Sequence, residues 1–466
     1  MLDASDEGED FMERLSMRIP ENAAVILKGL SEAGYEAYVV GGCVRDSLLG
    51  REPKDWDITT SAGPEQVKAV FAHTIDTGIE HGTVTVMVGK EGYEVTTYRI
   101  DGEYEDSRHP KEVRFTSQLL EDLKRRDFTI NAMAYNPDKG IVDAFDGIGD
   151  LTRKIIRCVG VPQERFDEDA LRIMRAVRFS AQLGFEIDEP TKAAITEKAQ
   201  QLENISAERI QMELVKILVS DHPEYMRLAC DLGITAVVLP EYDRIRGVSQ
   251  HTPNHIYDVE EHTLRAMMNI VPDKVLRLTM LMHDFGKPDV KKVVEGGREI
   301  FYKHPEVSAA YAEKIMRRLK FDNDTRTKVV RLVKWHGLKY DASEVSVRRA
   351  LNRVGQDIFD DFIKVQHADI EAVIPGKLAL LAAKEKTYHR VIAEGQCFTV
   401  RQLAIGGLDL IRAGIEPGPL LGAVLDKLTE AVIDDPELNE KDKLLAKAAE
   451  LKDDPAVFTP KEDFFM

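Results

Sequence analysis

The sequence predicts an elongated multidomain protein in which an α/β head is followed by a helical neck, body and tail. Segments with the alternating pattern of β-strands occur only early in the chain, most clearly at 83–88 and 93–99. Beyond about residue 160 the apolar residues recur at helical spacing, interrupted by proline and glycine. These breaks divide the chain into predicted domains at 20–150, 151–240, 241–380 and 381–466.

Each element of the head follows from a local pattern. The predicted elements, in order, are an amphipathic helix at 21–33, a short apolar strand at 36–40, a glycine turn, a helical turn at 44–49, a strand around 55–58, a β-hairpin whose strands flank GKEG, and a mobile polar loop at 99–115.

Composition excludes a disordered or fibrous chain, because 43% of the 466 residues are hydrophobic and 31% are charged. The net charge of −18 by itself argues against a nucleic-acid partner. Acidic residues are concentrated at 1–13 and 430–454, however, whereas 151–180 and 317–334 are rich in basic residues. Basic interior segments can bind a polyanion locally, so the net charge does not decide whether the protein binds a nucleic acid.

The four cysteines lie far apart and form no CxxC pair, which favours a reducing, cytoplasmic location. The acidic N-terminus has neither the basic nor the apolar region of a signal peptide. No apolar run approaches the length of a membrane span, so we expect no membrane association.

The segment 38–60, YVVGGCVRDSLLGREPKDWDITT, contains the first candidate site. Asp55 and Asp57 lie two residues apart in a predicted strand, so both carboxylates project from one face. Two hard oxygen ligands so placed suit Mg²⁺, which completes its shell with water and phosphate oxygens. Gly41 and Gly42 allow the backbone to approach a phosphate closely. An ordinary glycine turn beside a surface pair of aspartates is the weaker interpretation, because the features occur together.

Further polar residues of the head are predicted to bind a nucleotide around this pair. Arg45 follows the glycines within the first helical turns, and Glu94 on the hairpin is a candidate third carboxylate. Arg126 and Asp127 precede a predicted amphipathic helix that carries Asn131 one turn further on. Adjacent arginines are usually only solvated, but opposite metal-binding aspartates they are better interpreted as a triphosphate clamp.

The segment 165–179, RFDEDALRIMRAVRF, is predicted to form one continuous helix. Asp169, Arg172, Arg175 and Arg178 recur every three residues along it, so their side chains share a broad face. Taken alone, this pattern is typical of a solvated ladder of charges.

Histidine and aspartate residues in helical runs between 255 and 370 form a further candidate site. The candidate ligands of a divalent ion are His262, His283, Asp284 and Asp369, with His304 and His336 as additional candidates. Lys287 follows one turn after the His283-Asp284 pair and is expected to meet a phosphate. A lone helical histidine is usually structural, so the hypothesis rests on the complete set.

Together these motifs resemble those of class II tRNA nucleotidyltransferases, the family of CCA-adding enzymes and bacterial poly(A) polymerases. The resemblance rests on GGCVRDSLLG with DWD, TTYRIDGEYEDSRHP, RRDFTINAMAYN and RFDEDALRIMRAVRFSAQLGF, and it is collinear over about 35–240. It implies an α/β head of the DNA polymerase beta type. Asp55 and Asp57 would there hold Mg²⁺ for attack of an RNA 3′-hydroxyl on a nucleotide α-phosphate. The later histidine and aspartate set resembles the HD superfamily of metal-dependent phosphohydrolases, with the metal left open.

The resemblance also implies how the nucleotide is selected. Asp169 and Arg172 match the family's EDxxR motif, which hydrogen-bonds the edge of the incoming base. Cytosine and adenine both present an amino donor beside a ring-nitrogen acceptor, whereas uracil and guanine present the opposite pattern. We therefore expect addition of CMP and AMP from CTP and ATP to the 3′ end of tRNA, with release of pyrophosphate. Arg175 and Arg178 are expected to contribute to nucleotide binding.

Several alternatives stay open from the sequence. The enzyme could add only A to tRNA, since the retained segment 99–115 argues against an enzyme that adds only CC. It could also be a poly(A) polymerase, although the basic tail usual in those enzymes is absent here. The HD-type phosphohydrolase could be the main activity, with the head as a binding module. A non-enzymatic, RNA-binding role would require that Asp55 and Asp57 take no part in catalysis. tRNA is the expected partner, and we infer no stable protein partner. Candidate tRNA phosphate contacts are Arg317, Arg318, Lys320, Arg331 and Lys334.

Overall fold

The computed structural model describes residues 17–101, 113–251, 257–373 and 378–458. The chain divides into two compact units, one up to Asp243 and one from Arg244 onward. Further division of these units into head, neck, body and tail stays a prediction. Among the described residues, no helix combines the length and the apolar character needed to cross a membrane.

The first unit contains a mixed sheet followed by helices. Its strands are β1 (Ala37–Val40), β2 (Ile58–Thr60), β3 (Thr74–Gly78), β4 (Thr83–Val88), β5 (Glu91–Thr97), β6 (Arg99–Asp101), β7 (Val113–Phe115), β8 (Met133–Asn136), β9 (Gly140–Asp143), β10 (Ile155–Ile156) and β11 (Glu186–Ile187). Its helices are α1 (Glu21–Glu32), α2 (Gly42–Leu48), α3 (Pro64–Val70), α4 (Leu119–Lys124), α5 (Gly147–Arg153), α6 (Pro162–Glu168), α7 (Leu171–Leu183), α8 (Glu189–Lys198), α9 (Ala207–Leu218), α10 (Met226–Asp231), α11 (Ile234–Val238) and α12 (Pro240–Asp243).

Seven strands form the sheet in the order β3-β4-β5-β2-β1-β8-β9. Strand β1 pairs antiparallel with both β2 and β8, so Val39 lies between Ile58 and Tyr135. Strands β2 and β5 are parallel, with Ile58 opposite Val95. The predicted hairpin is confirmed, because β4 and β5 pair antiparallel. The central strands β1, β2 and β8 are buried throughout, although β2 contains two threonines and β8 ends in an asparagine.

The predicted loop at 99–115 begins and ends in the antiparallel pairing of β6 with β7. Its middle, residues 102–112, lies outside the described residues.

The helix predicted after Arg126 is wrong. Thr129–Asn131 form one 3-10 turn, and the following Met133–Asn136 form the buried strand β8. Periodicity alone cannot assign a short apolar run to helix or strand. Here strand pairing with β1 and β9 supplies partners for backbone groups that are buried in the sheet.

The continuous helix predicted for 165–179 is interrupted. Helix α6 ends at Glu168 and α7 begins at Leu171, while Asp169 between them has an extended backbone with φ −143° and ψ 102°. The Asp169 carboxylate accepts a hydrogen bond from the Leu171 N–H at 3.1 Å. Aspartate competes for backbone donors at a helix start, and this local bond accounts for the break.

The second unit is mainly helical. Its helices are α13 (Val259–Met268), α14 (Lys274–Met282), α15 (Lys287–Val290), α16 (His304–Arg318), α17 (Asn323–Trp335), α18 (Glu344–Val354), α19 (Phe359–Val373), α20 (Leu378–Ala393), α21 (Gly407–Arg412), α22 (Pro419–Asp434) and α23 (Lys441–Lys452). Helix α14 is buried from Leu276 to Met282 and packs against α13, α17 and α19. A separate core containing Leu410, Val424 and Leu428 joins α21, α22 and α23.

The region predicted to be all-helical also contains two short strand pairs. Strands β10 and β11 are parallel, and β12 (Lys292–Val293) pairs antiparallel with β13 (Glu299–Ile300). Strands of two residues are too short to show an alternating pattern, so the sequence carried no signal for them.

The turn between β1 and α2 requires glycine at one position. Gly41 has φ +82° and ψ −126°, and a Cβ there would lie 3.0 Å from Nη1 of Arg126. At Gly42, in the first turn of α2, the nearest atom to an added Cβ is Nη2 of Arg45 at 3.7 Å. The glycine pair therefore contains one obligatory glycine and one replaceable glycine.

We expect Gly41→Ala to lower the free energy of unfolding by about 1–3 kcal/mol, because alanine cannot adopt this conformation without strain. Urea denaturation followed by circular dichroism measures the loss. Gly42→Ala is the matched control and should be neutral or slightly stabilising, since alanine favours a helix. Equal losses in both variants would contradict the assignment.

Candidate functional site

The two predicted aspartates lie at the entry to strand β2. Asp55 and Asp57 precede Ile58, so the prediction that they belong to the strand is wrong by a few residues. The extended pairing nevertheless reaches Asp57, because the Val40 N–H donates to the Asp57 carbonyl oxygen at 3.0 Å. Both side chains are exposed. Their carboxylates are open to a ligand at the edge of the glycine turn.

Glu94 lies on the neighbouring strand, beside this pair. The parallel register that places Ile58 opposite Val95 places Asp57 next to Glu94, one step earlier. Desolvation by the surrounding protein raises the pKa of Asp57; Arg126 opposes this rise, and the negative charges of Glu94 and Asp55 add to it. The structure thus brings the three predicted carboxylates into one electrostatic neighbourhood.

Arg126 is anchored by a buried aspartate that the sequence analysis missed. Asp122 is fully buried and accepts hydrogen bonds from Arg125 at 2.7 and 2.9 Å and from Arg126 at 3.3 Å. Its pKa is lowered, because the two guanidinium groups outweigh the effect of burial. The spacing of three and four residues on a helix was the signal available in the sequence.

Asp127 links the sheet to helix α7. Its carboxylate accepts two hydrogen bonds from Arg175, at 2.8 and 2.5 Å, and one from Asn131 at 3.0 Å. Asn131 in turn accepts a hydrogen bond from Arg45 at 2.7 Å. Burial by itself would raise the pKa of Asp127, but Arg175 and Asn131 hold this pKa well below its usual range. Four predicted nucleotide-binding residues therefore form one network.

Three arginines at this site lie close to the aromatic ring of Phe179. The guanidinium carbon of Arg178 lies 3.9 Å from the ring centroid of Phe179, and those of Arg45 and Arg175 lie at 5.0 and 5.4 Å. Arg178 also forms a buried ion pair with Glu213 at 2.6 Å. Burial and the neighbouring Arg175 lower the pKa of Arg178 to about 10. In this structure Arg178 contributes to packing; its predicted contact with a nucleotide stays a prediction.

The structure separates Asp169 and Arg172 by the break between the helices. Asp169 is held by the Leu171 N–H and by Arg209, whose Nη2 lies 2.8 Å from its carboxylate. Arg172 donates to Glu168 at 2.5 Å and to the carbonyl oxygen of Arg125 at 2.9 Å. The predicted shared helix face is therefore wrong for Asp169, and both side chains are oriented by other partners.

The second unit brings its predicted ligands together, and we call them the histidine centre. The set comprises His262 on α13, His283 and Asp284 directly after α14, His304 at the start of α16, His336 directly after α17, and Asp369 on α19. Residues from five helical segments thus converge at one place.

Two groups of possible ligand atoms share Asp284. Within each of the groups His262–His283–Asp284 and Asp284–His304–His336, the ligand atoms lie within 4.8 Å of one another. The Oδ2 atom of Asp284 lies 3.2 Å from Nε2 of His283, and its Oδ1 atom lies 3.4 Å from Nε2 of His304. Asp369 joins the first group, with Oδ1 2.9 Å from Nε2 of His262. The carboxylate of Asp284 therefore faces both groups.

Backbone carbonyls orient three of the four imidazoles. The Nδ1 atoms of His283, His304 and His336 lie 2.7, 2.8 and 2.7 Å from the carbonyl oxygens of the residues three positions earlier. An Nδ1–H donated to a carbonyl leaves the Nε2 lone pair as the ligand. The Nε2 atoms all point into the centre.

Burial favours neutral imidazoles in the second group. It lowers the pKa of His304 to about 3 and that of His336 to about 4, aided by neighbouring positive groups. In the first group, burial alone would lower the pKa of His283, but the carboxylates of Asp284 and Asp369 raise it. Neutral imidazoles and ionised carboxylates are the forms that bind divalent ions.

Lys287 lies one turn after the His283-Asp284 pair, as predicted, and its contact with a phosphate stays a prediction. Its ammonium is buried, 2.6 Å from Oδ2 of Asp284, and it also contacts Gln250. Its charge neutralises Asp284 instead of facing outward. Gln250 was missed in the sequence, where a lone glutamine in a loop carries no signal. The side chains of His304 and Asp369, 20% and 25% exposed, mark the open side of the centre.

Two of the predicted tRNA contacts are engaged in ion pairs. Arg331 donates to both carboxylate oxygens of Asp357, at 2.6 and 2.8 Å, and Arg317 pairs with Glu313 at 2.5 Å. These bonds brace the helices on which the arginines lie.

Family models match three parts of the chain. The "Poly A polymerase head domain" matches residues 37–157, the "Probable RNA and SrmB- binding site of polymerase A" matches 184–245, and "tRNA nucleotidyltransferase domain 2" matches 300–448. The first match contains Asp55, Asp57, Arg45, Asp127 and Asn131, whereas helix α7 with Arg172, Arg175 and Arg178 lies between the first and second matches.

Whole-length relatives and solved structures agree with these matches. The chain is 38% identical to the CCA-adding enzyme of Levilactobacillus brevis, over 91% of this chain and 96% of that protein. It is 39% identical to the CCA-adding enzyme of Lactobacillus delbrueckii subsp. bulgaricus, over 90% and 95% of the two chains. Among solved structures, it is similar to the Bacillus stearothermophilus CCA-adding enzyme in complex with CTP, with a TM-score of 0.71 and 32% identity, covering 92% and 96% of the two chains.

Proposed function

The chain belongs to the family of CCA-adding enzymes, and from this membership we infer that it completes the 3′ end of tRNA. It is a nucleotidyltransferase that adds CMP and AMP residues from CTP and ATP without a nucleic-acid template. The observation that carries this conclusion is the match to CCA-adding enzymes over about nine-tenths of the chain. A match of this length includes the helical parts, and it favours CCA addition over poly(A) synthesis.

Asp55 and Asp57 would hold the divalent cofactor, for which we propose Mg²⁺. Their exposed carboxylates fit this ion, because Mg²⁺ prefers one or two carboxylates and takes its other ligands from water and substrate phosphates. When bound, the ion stabilises the charge that develops on the attacking and leaving oxygens of the phosphate. Glu94 is proposed to tune the charge of this pair from the next strand.

Arginine side chains of the head are proposed to bind the nucleotide. Arg126 lies beside the Gly41 turn and near Asp57, where it is placed to neutralise a triphosphate. Arg45 and Asn131 are fixed through Asp127, so their polar atoms are held in position before a nucleotide binds. Prior ordering of this kind lowers the entropic cost of binding.

We propose that Asp169 and Arg172 read the base. A carboxylate accepts from the amino group of cytosine or adenine, and a guanidinium donates to the adjacent ring nitrogen. Arg209 and Glu168 keep the two side chains oriented, so a base with the opposite pattern would leave polar groups unpaired. This supports selection of CTP and ATP over UTP and GTP.

A second activity, hydrolysis of a phosphoester, is proposed for the histidine centre. The observation that favours it is the sharing of Asp284 by two groups of ligand atoms. We propose that His262, His283, Asp284 and Asp369 hold one divalent ion, and that Asp284 with His304 and His336 holds a second. Bound divalent ions of this kind activate water for attack on phosphorus.

We propose a cytoplasmic location. It is supported by the four cysteines, which are all free thiols, as is usual in a reducing compartment.

Replacing either aspartate of the head tests the catalytic assignment. Asp55→Ala or Asp57→Ala should abolish nucleotide addition, while tRNA affinity stays within a few-fold because other surfaces bind tRNA. Addition is measured with tRNA that lacks its 3′ end and with labelled CTP and ATP, and binding is measured by gel shift. Asp76→Ala, an exposed aspartate of the same sheet, is the control and should remain active. Normal addition by either head variant would remove these residues from catalysis.

The base-reading role of Arg172 predicts a change in selectivity. Arg172→Ala should weaken the use of CTP and ATP and relax the discrimination against UTP and GTP, because the wrong bases no longer meet an opposing donor. The kcat/KM for each nucleotide measures this. Arg153→Ala, a half-exposed arginine that pairs with Asp146 and Asp150, should leave the ratios unchanged. Retained selectivity in Arg172→Ala would remove Arg172 from base recognition and leave it only its structural bonds to Glu168 and to the Arg125 carbonyl.

The two activities should separate. His283→Ala with Asp284→Ala should lose the metal of the histidine centre and any hydrolysis of cyclic nucleotides, while CCA addition remains. Mass spectrometry of bound metal and both assays are performed on one preparation. His304→Ala with His336→Ala should lose one of two ions.

The matched control is His389→Ala, whose exposed histidine lies on α20. Wild-type protein purified with excess divalent metal that contained no ion at the centre and hydrolysed nothing would leave only an architectural role.

A further inference from the structure

Asp122 is a fully buried carboxylate, and one of its partners, Arg126, is a proposed nucleotide-binding residue. Its Oδ1 atom accepts both bonds of Arg125, whereas its Oδ2 atom accepts from the Thr59 hydroxyl at 3.1 Å and from Arg126 at 3.3 Å. Thr59 is the second residue of β2, the strand that Asp57 introduces. Asp122 therefore lies beneath the strand that positions the aspartate pair.

Arg126 is the more weakly held of the two arginines. Its Nη2 makes the longer bond to Asp122, and its buried Nε finds no hydrogen-bond acceptor among the residues that the structure describes. Its Nη1 lies beside the Gly41 turn, one residue from Val40, whose N–H bonds the backbone of Asp57. The guanidinium thus bonds the buried carboxylate of Asp122, and its charge also acts on the exposed carboxylate of Asp57.

We propose that Asp122 is a positioning residue for the head's metal site, whose buried charge holds Arg126 back from Asp57. The inference rests on the proposed function, in which Asp55 and Asp57 hold a divalent ion. Without the charge of Asp122, Arg126 pairs with Asp57 and competes with the cation for that carboxylate. Asp122 in this way keeps the aspartate pair available while Arg126 stays near enough to meet a triphosphate.

The charge of Asp122, and not its shape, is the tested property. Asp122→Asn keeps the size of the side chain and an acceptor for the Thr59 hydroxyl. We expect it to weaken Mn²⁺ binding at the head about two- to fivefold, the scale of a partly exposed ion pair. The Mg²⁺ concentration for half-maximal CCA addition should rise by the same factor, with kcat largely recovered at saturating Mg²⁺.

The direct readout is Mn²⁺ binding in the absence of tRNA and nucleotide, followed by the electron paramagnetic resonance signal of free Mn²⁺. Full-length protein carrying His283→Ala and Asp284→Ala removes the contribution of the histidine centre. If that background does not fold, titrations of the otherwise wild-type chain are compared with Asp57→Ala, which reports the head's share.

A double-variant comparison distinguishes positioning from a structural role. Arg126→Gln alone should bind Mn²⁺ at least as well as the parent, and Asp122→Asn should have no further effect in its presence. A structural role would weaken binding by the same factor with or without Arg126. If Asp122→Asn does not fold alone, Arg126→Gln still tests the proposal, since weaker Mn²⁺ binding by that variant would overturn it.

Asp150 provides a matched control for the loss of a buried charge. It is buried to the same degree and likewise accepts from one threonine and two arginines, namely Thr129, Arg153 and Arg157. Asp150→Asn should destabilise the fold without changing the Mn²⁺ affinity. Equal weakening by Asp150→Asn and Asp122→Asn would overturn the proposal. If the proposed metal-binding role of Asp57 is itself wrong, the result is distinguishable, because Asp57→Ala would then leave Mn²⁺ binding unchanged.

Discussion

The ion pair between the buried Asp127 and the partly exposed Arg175 is the interaction on which the proposed nucleotide site depends. Asp127 follows the helix that carries Asp122, and Arg175 lies on α7, so their two hydrogen bonds join the sheet to the first long helix after it. Asn131 and Arg45 are oriented through the same carboxylate. Removing one partner of a buried carboxylate is costly, so the loss of Arg175 or Asn131 should disturb the whole arrangement. The residues proposed to bind the phosphates and the base are thereby linked to one another.

The two candidate metal sites differ in how they accommodate several charged or polar ligand groups that lie close together. In the head, Asp55 and Asp57 stay exposed, so that water and the substrate can supply further oxygen ligands, and the charge of Arg126 offsets part of their repulsion. In the histidine centre, Asp284 is buried and its charge is neutralised by Lys287, while the imidazoles are oriented by backbone carbonyls. The first arrangement suits an ion that arrives with a nucleotide. The second suits ions that reside in the protein.

Sequence reasoning succeeded where the signal was local. The glycine turn, the hairpin and the aspartate pair each lie within a few residues, and the structure has them close to the predicted positions. It failed where two local tendencies competed. The run after Arg126 is apolar enough for a helix, yet pairing with β1 made it a strand. Asp169 was read as helical because nothing in 165–179 breaks a helix by propensity, but its side chain bonds the backbone and interrupts the helix.

By itself the sequence determined which residue types carry the chemistry, because ligand identity, charge and the spacing of Asp55 and Asp57 are properties of the chain. Only the tertiary structure decided what each charged group faces. Arg45 meets Asn131 across 86 residues of sequence, and Arg178 turns to Glu213 and Phe179 instead of solvent. Asp284 faces two ligand groups only because separate helices converge on it. A buried charge is costly without a partner, and in the folded protein that partner often comes from a distant segment of the chain. A local sequence pattern therefore cannot show it.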